Sequence, residues 1–329
     1  MKPVSFFPIL GVVLLLCLLA ACSMEAPLPP TQSREPQGSW TTKATLPGKL
    51  SEVAVAAANG KIYVLGGTTP DGVDQRLNQE YDPATDRWRE RAPLPRTINH
   101  AGATGLNGKI YVVGAFTEAG HGASINSVFE YDPVSNAWRT LAPLKSPRGS
   151  VGVTVLEGKI HAIGGRGTDK VTVVTHEAYD PATGKWTELA PLPKARDHLA
   201  VVAAGGRIHA IGGRLDASSQ NVDLHDIYNP ATNSWQSGAP LPTARSGVAG
   251  ALYQDMIVVA GGECRDKRTY SENEGYNVKT GRWATLAPLP AGRHGFAAVA
   301  VGPNLYFVAG ALGCGGGDRS DQLLAFSLP

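Results

Sequence analysis

The sequence predicts an all-β fold, a six-bladed β-propeller with four antiparallel strands per blade. Three observations predict it. Tryptophan recurs every 48 to 50 residues, at Trp40, Trp88, Trp138, Trp186, Trp235 and Trp283. Five of these follow a tyrosine by seven residues (Tyr81, Tyr131, Tyr179, Tyr228 and Tyr276), and about fourteen residues earlier stands a glycine pair. The pairs are Gly66-Gly67, Gly164-Gly165, Gly212-Gly213 and Gly261-Gly262, with Gly114-Ala115 and Ala309-Gly310 in the second and last repeats. Finally, the last repeat stops just after Phe326, where a tyrosine is due, while an unmatched copy of the tryptophan strand surrounds Trp40. A period of this length marks an array of like supersecondary units.

Each repeat reads as four strands. In the first, residues 53–58 are small and apolar, Asn59-Gly60 is a hairpin turn signal, and residues 61–65 alternate. A polar loop follows the glycine pair; residues 78–82, a turn at Pro83, and residues 87–91 complete the unit. Such a sheet buries both faces only when sheets pack radially. First strands such as Ala101-Gly102-Ala103-Thr104 and Val248-Ala249-Gly250-Ala251 have the small side chains that crowding near an axis demands. The tyrosines and tryptophans are expected to pack between blades. The strand around Trp40 is expected to complete the last blade, closing the ring without a free edge.

This grammar of glycine pair, tyrosine and tryptophan resembles the Kelch repeat over residues 39–329. The WD-type propeller shares the period but not the grammar. Ahead of the repeats, residues 6–21 are almost wholly apolar and uncharged, which is the layout of a secretory signal peptide. Leu19-Ala20-Ala21-Cys22 resembles a bacterial lipobox, which implies cleavage after residue 21 and a lipid on Cys22. Residues 22–38, with Pro27, Pro29, Pro30 and Pro36, read as a tether. The expected location is the bacterial cell envelope, through the N-terminal lipid, and the outer membrane if the cell is Gram-negative. A net charge of +2 with 18% charged residues gives no support to nucleic-acid binding, and the propeller is expected to be monomeric.

Two loop sets reach one face of a propeller: those after the glycine pairs and those leading into the inner strands. Aligned at the second set are Leu50, Ile98, Arg148, Arg196, Arg245 and Arg293; at the first are Thr68, Phe116, Arg166, Arg214 and Glu263. Kelch proteins commonly use both positions for ligand contact, so Arg148, Arg166, Arg196, Arg214, Arg245 and Arg293 are expected to bind an anionic group, with Glu52 and His100 nearby. An arginine fork suits a carboxylate. The alternative is that the lead-in arginines pair with a neighbouring acid or cap carbonyls. Cys264 and Cys314 fall in adjacent loops on this face and are expected to form a disulfide.

No catalytic triad, zinc-ligand spacing or cofactor motif is present. The galactose oxidase propeller is similar at fold level, but its copper ligands have no counterpart. Fold-level similarity to periplasmic sialic acid epimerase implies Glu263 as a candidate base, with His198 or His100 assisting. The expected function is a binding module for an acidic sugar or an envelope protein; the alternative is a sialic acid (N-acetylneuraminate) epimerase or mutarotase.

Overall fold

A computed structural model describes residues 1, 3, 4, 37–118, 120–217, 220–263 and 268–329. Nearly all of the expected signal peptide and tether, including Cys22, lie outside the described residues. Among the described residues no helix is long and apolar enough to cross a membrane.

The repeats fold into six four-stranded antiparallel sheets. Blade one consists of Ala54–Ala58, Lys61–Leu65, Asn78–Asp82 and Arg87–Glu90, innermost to outermost. Blades two to five repeat this order. Blade six takes Ala297–Val301, Asn304–Val308 and Leu323–Ser327 from the end of the chain, and Ser39–Lys43 from its start. Trp40 lies opposite Phe326 in that closing pair, as Trp88 lies opposite Tyr81 in blade one. The ring closes as the two chain ends require.

The core lies between blades. Each tyrosine ring packs on the tryptophan opposite it, at centroid distances from 4.8 Å (Tyr131–Trp138) to 5.3 Å (Tyr276–Trp283). Every tryptophan also donates its indole N–H to the carbonyl of an alanine in the preceding blade, just before a Pro-Leu step in five cases and before Thr45-Leu46 in the sixth. Trp88 reaches Ala44 O, Trp138 Ala92 O, Trp186 Ala142 O and Trp235 Ala190 O, each at 2.8 Å. Trp283 reaches Ala239 O at 2.9 Å and Trp40 reaches Ala287 O at 3.0 Å. One residue type thus supplies apolar area and a directional stitch to the neighbouring blade, the latter worth about 1 kcal/mol.

The glycine pairs have a mechanical role. At Gly66 (φ 62°) and Gly67 (φ 93°) the chain leaves the second strand in a left-handed conformation. A Cβ on Gly66 would lie 2.6 Å from Ile98 O, so the next blade's lead-in approaches closely only because glycine stands there.

Candidate functional site

The lead-in arginines do not line the channel mouth. Arg148, Arg196, Arg245 and Arg293 have at most 1% of their surface exposed, and the expectation that they bind ligand is corrected. Each guanidinium is turned into its own blade, toward carbonyls near the point where the chain departs at the glycine pair. Arg148 donates to Gly164 O, Ala162 O and Thr175 O and pairs with Glu177 at 2.9 Å. Arg196 pairs with Asp226 at 2.7 Å, and Arg245 donates to Gly261 O and Val259 O and pairs with Glu274 at 2.5 Å. Arg293 has a neutral partner, Gln322 Oε1 at 2.6 Å, and burial pushes its pKa down to about 10. Blades one and two fill the place with buried Leu50 and Ile98.

Two residues beyond each lead-in residue the chain reaches the axis. Glu52, His100, Ser150, His198, Gly247 and Gly295 stand there, all left-handed, with φ between 50° and 65°. Their backbones form a belt around the channel: Glu52 N donates to Gly295 O at 2.6 Å, His100 N to Glu52 O at 3.0 Å, Ser150 N to His100 O at 2.9 Å and Gly247 N to His198 O at 3.0 Å. A left-handed residue other than glycine costs about 1–2 kcal/mol. Blades five and six avoid the cost; blades one, two and four accept it to place a carboxylate and two imidazoles on the axis. Gly295 in turn makes room, since a Cβ there would lie 2.4 Å from Glu52 Oε1.

Above the belt lies a cavity of about 270 Å³, lined by Ser51, Glu52, Thr68, His100, Gly120, His121, His198, Glu263, His294, Gly315, Gly316 and Arg319. Glu52 Oε2 lies 2.9 Å from His100 Nε2, and Glu52 Oε1 lies 3.7 Å from His294 Nδ1. Burial alone would raise the Glu52 pKa, but His100, His294 and His198 outweigh it and hold the carboxyl well below the usual range. Asp197 is fully buried beneath the cavity, 2.7 Å from Arg166 Nε, 2.9 Å from Arg214 Nε and 3.0 Å from His198 Nδ1. Burial would raise Asp197 too, yet His198, Arg214 and Arg166 keep it ionised. Arg214 continues to Glu263 at 2.5 Å, and its remaining nitrogen lies 3.2 Å from His121 Nε2 and 3.4 Å from His198 Nε2. Burial first, then His100, His198 and Arg214, push His121 down to about 2; burial and Arg214 likewise lower His198.

Of the residues expected at the site, the structure therefore gathers Glu263, His100, His198 and Arg214, with Arg166 held at the edge by Asp197, Lys170 O and Asp216 O. Glu263 is the acidic partner of Arg214 rather than a free carboxylate. Sequence reasoning missed His121 and Arg319, which belong to loops where the repeat has no grammar. Cys314 is disulfide-bonded; Cys264, its expected partner, lies outside the described residues.

The profile of the KLHDC2/KLHL20/DRC7 Kelch-repeats domain matches residues 33–213, more than half of the chain. The chain belongs to the Kelch-repeat family. A second profile, the Kelch motif, matches residues 195–242. No curated protein matches this Kelch chain. Among solved structures, the one described as "Structure of YjhT" superposes with a TM-score of 0.75 at 17% identity, over 86% of this chain and 96% of that one. At that identity the likeness is one of fold.

Proposed function

We propose that this Kelch protein is an exported, lipid-anchored propeller that binds a monosaccharide-sized acidic ligand in its axial cavity. One observation carries the ligand class. Arg166 and Arg214 are each engaged by a carboxylate, but Arg319 reaches the same cavity and, among the described residues, has no acidic partner, donating to Ser51 Oγ at 2.9 Å and Pro70 O at 3.2 Å. A half-buried guanidinium with spare donors is an anchor for a carboxylate. Glu52, His100, His198 and His294 surround it with the acceptors and donors that hydroxyl groups need. The volume, about 270 Å³, is near the lower end of small-molecule pockets, roughly 300–1,000 Å³. It suits one sugar ring better than a polymer.

The second reading, a sugar epimerase or mutarotase, draws on the Glu52–His100 pair at 2.9 Å. A general base works best with a pKa near the operating pH, and the environment of Glu52 holds it far below. Binding is therefore placed ahead of turnover. Calorimetry with N-acetylneuraminate, glucuronate and their neutral counterparts tests it: acidic sugars bind and the Arg319→Ala variant loses them. Equal binding of neutral sugars, or retention by Arg319→Ala, contradicts the reading. Accelerated epimerisation in an NMR assay would promote the second. The export and lipid proposal rests on the leader and Cys22, and predicts that Cys22→Ser releases the protein from the membrane fraction.

A further inference from the structure

We infer that His100, His121 and His198 form a binding site for a divalent transition metal of the zinc class. Their ligand nitrogens all lie within 4.8 Å of one another, and the ring centroids make a nearly even triangle of 4.6, 5.1 and 5.1 Å. His121 Nε2 and His198 Nε2 are 3.3 Å apart. A tetrahedral zinc ion, roughly 2.0–2.1 Å from each nitrogen, spaces its ligands by about 3.3 Å. Three imidazoles from two blades therefore already stand near the separation one ion imposes.

The surrounding residues orient them for it. Asp197 Oδ1 lies 3.0 Å from His198 Nδ1, and Asn99 Oδ1 lies 2.5 Å from His100 Nδ1. The Asn99 oxygen on His100 Nδ1 fixes the tautomer that leaves Nε2 free for a metal, and Asp197 sets a negative charge beside His198. Glu52 Oε2, 2.9 Å from His100 Nε2, is placed to supply a fourth donor. The local charge does not oppose a cation: Glu52, Asp197 and Glu263 balance Arg166, Arg214 and Arg319. One arm of Arg214 approaches His121 and His198 and has to yield to the ion, but its other donors stay on Asp197 and Glu263. The three ligands show no zinc spacing in the sequence because His100 and His198 are brought together by the belt, across two blades. The metal shares the cavity proposed for the sugar but not its premise.

The test uses the protein stripped with chelator and titrated with cobalt, then with zinc in competition, without sugar. One cobalt per chain is expected, with the strong visible absorption of a four-coordinate ion, displaced by zinc. His121→Gly, which suits the φ of 111° at that position, is expected to weaken binding at least tenfold. His198→Ala should do the same, with thermal unfolding recorded to show that each variant is folded. Absence of binding to folded protein, or binding unchanged in the folded His121→Gly variant, overturns the inference. Metal binding without sugar binding leaves this inference standing and removes the ligand proposal; the opposite result does the reverse.

Discussion

The lead-in position and the axial belt are two residues apart in every blade, yet they do opposite things. The lead-in residue is repeated and spent: four arginines, each fully buried and each bonded to groups of its own blade. The belt residue is varied and lines the channel: glutamate, histidine, serine, histidine and two glycines, on a backbone that only glycine occupies without cost. In a repeat protein, what recurs from blade to blade builds the ring. What breaks the repeat, at a strained position facing a cavity, is where the proposed site lies.

The sharpest way to break this contrast is to remove a recurring arginine. Arg245→Ala strands Glu274 beside an emptied site, and losing one partner of a buried pair costs about 3–5 kcal/mol. Denaturant unfolding should show that loss. A change below 1 kcal/mol would mean that the arginine is not a structural clamp.

The next effect concerns a second recurring element. Blades three and four carry buried histidine pairs, His161 with His176 and His209 with His225, each at 2.9 Å, where blade one has Tyr63 and Asn78. Burial pushes His161 to about 4, His176 to about 3 and His209 to about 4. Because the unfolded histidines take up protons first, near pH 6.5, this stability is present above that pH and is lost as pH falls toward 4. Unfolding at pH 5 should show about 2–4 kcal/mol less stability per pair than at pH 7. Replacing His161→Tyr with His176→Asn, as in blade one, should remove that pair's share; an unchanged pH profile would contradict it.

The smallest effect is at the belt. Ser150→Gly relieves a φ of 51° and is expected to raise stability by up to about 1 kcal/mol, measured by thermal unfolding. A clear loss instead would show that the belt is not strained.

The blade count, the ring closure and the stitching tryptophans were legible because each leaves a fixed interval in the chain. The two loop sets that meet on one face were legible too, and with them His100, His198, Glu263 and Arg214. Arg148, Arg196, Arg245 and Arg293 were misplaced because direction is not written in spacing: the same register suits an arginine turned into its blade or out to the channel. The acids that hold them, Glu177, Asp226 and Glu274, recur at one strand position and were the available signal. His121 and Arg319 had no signal, since irregular loops carry them to the axis.

The most direct test compares two variants in one binding titration against an acidic sugar, His198→Ala and Arg293→Leu, the latter copying the leucine of blade one. The account predicts that folded Arg293→Leu binds like the parent protein and His198→Ala does not. Loss in Arg293→Leu with retention in His198→Ala would place the binding chemistry at the lead-in arginines and contradict the account.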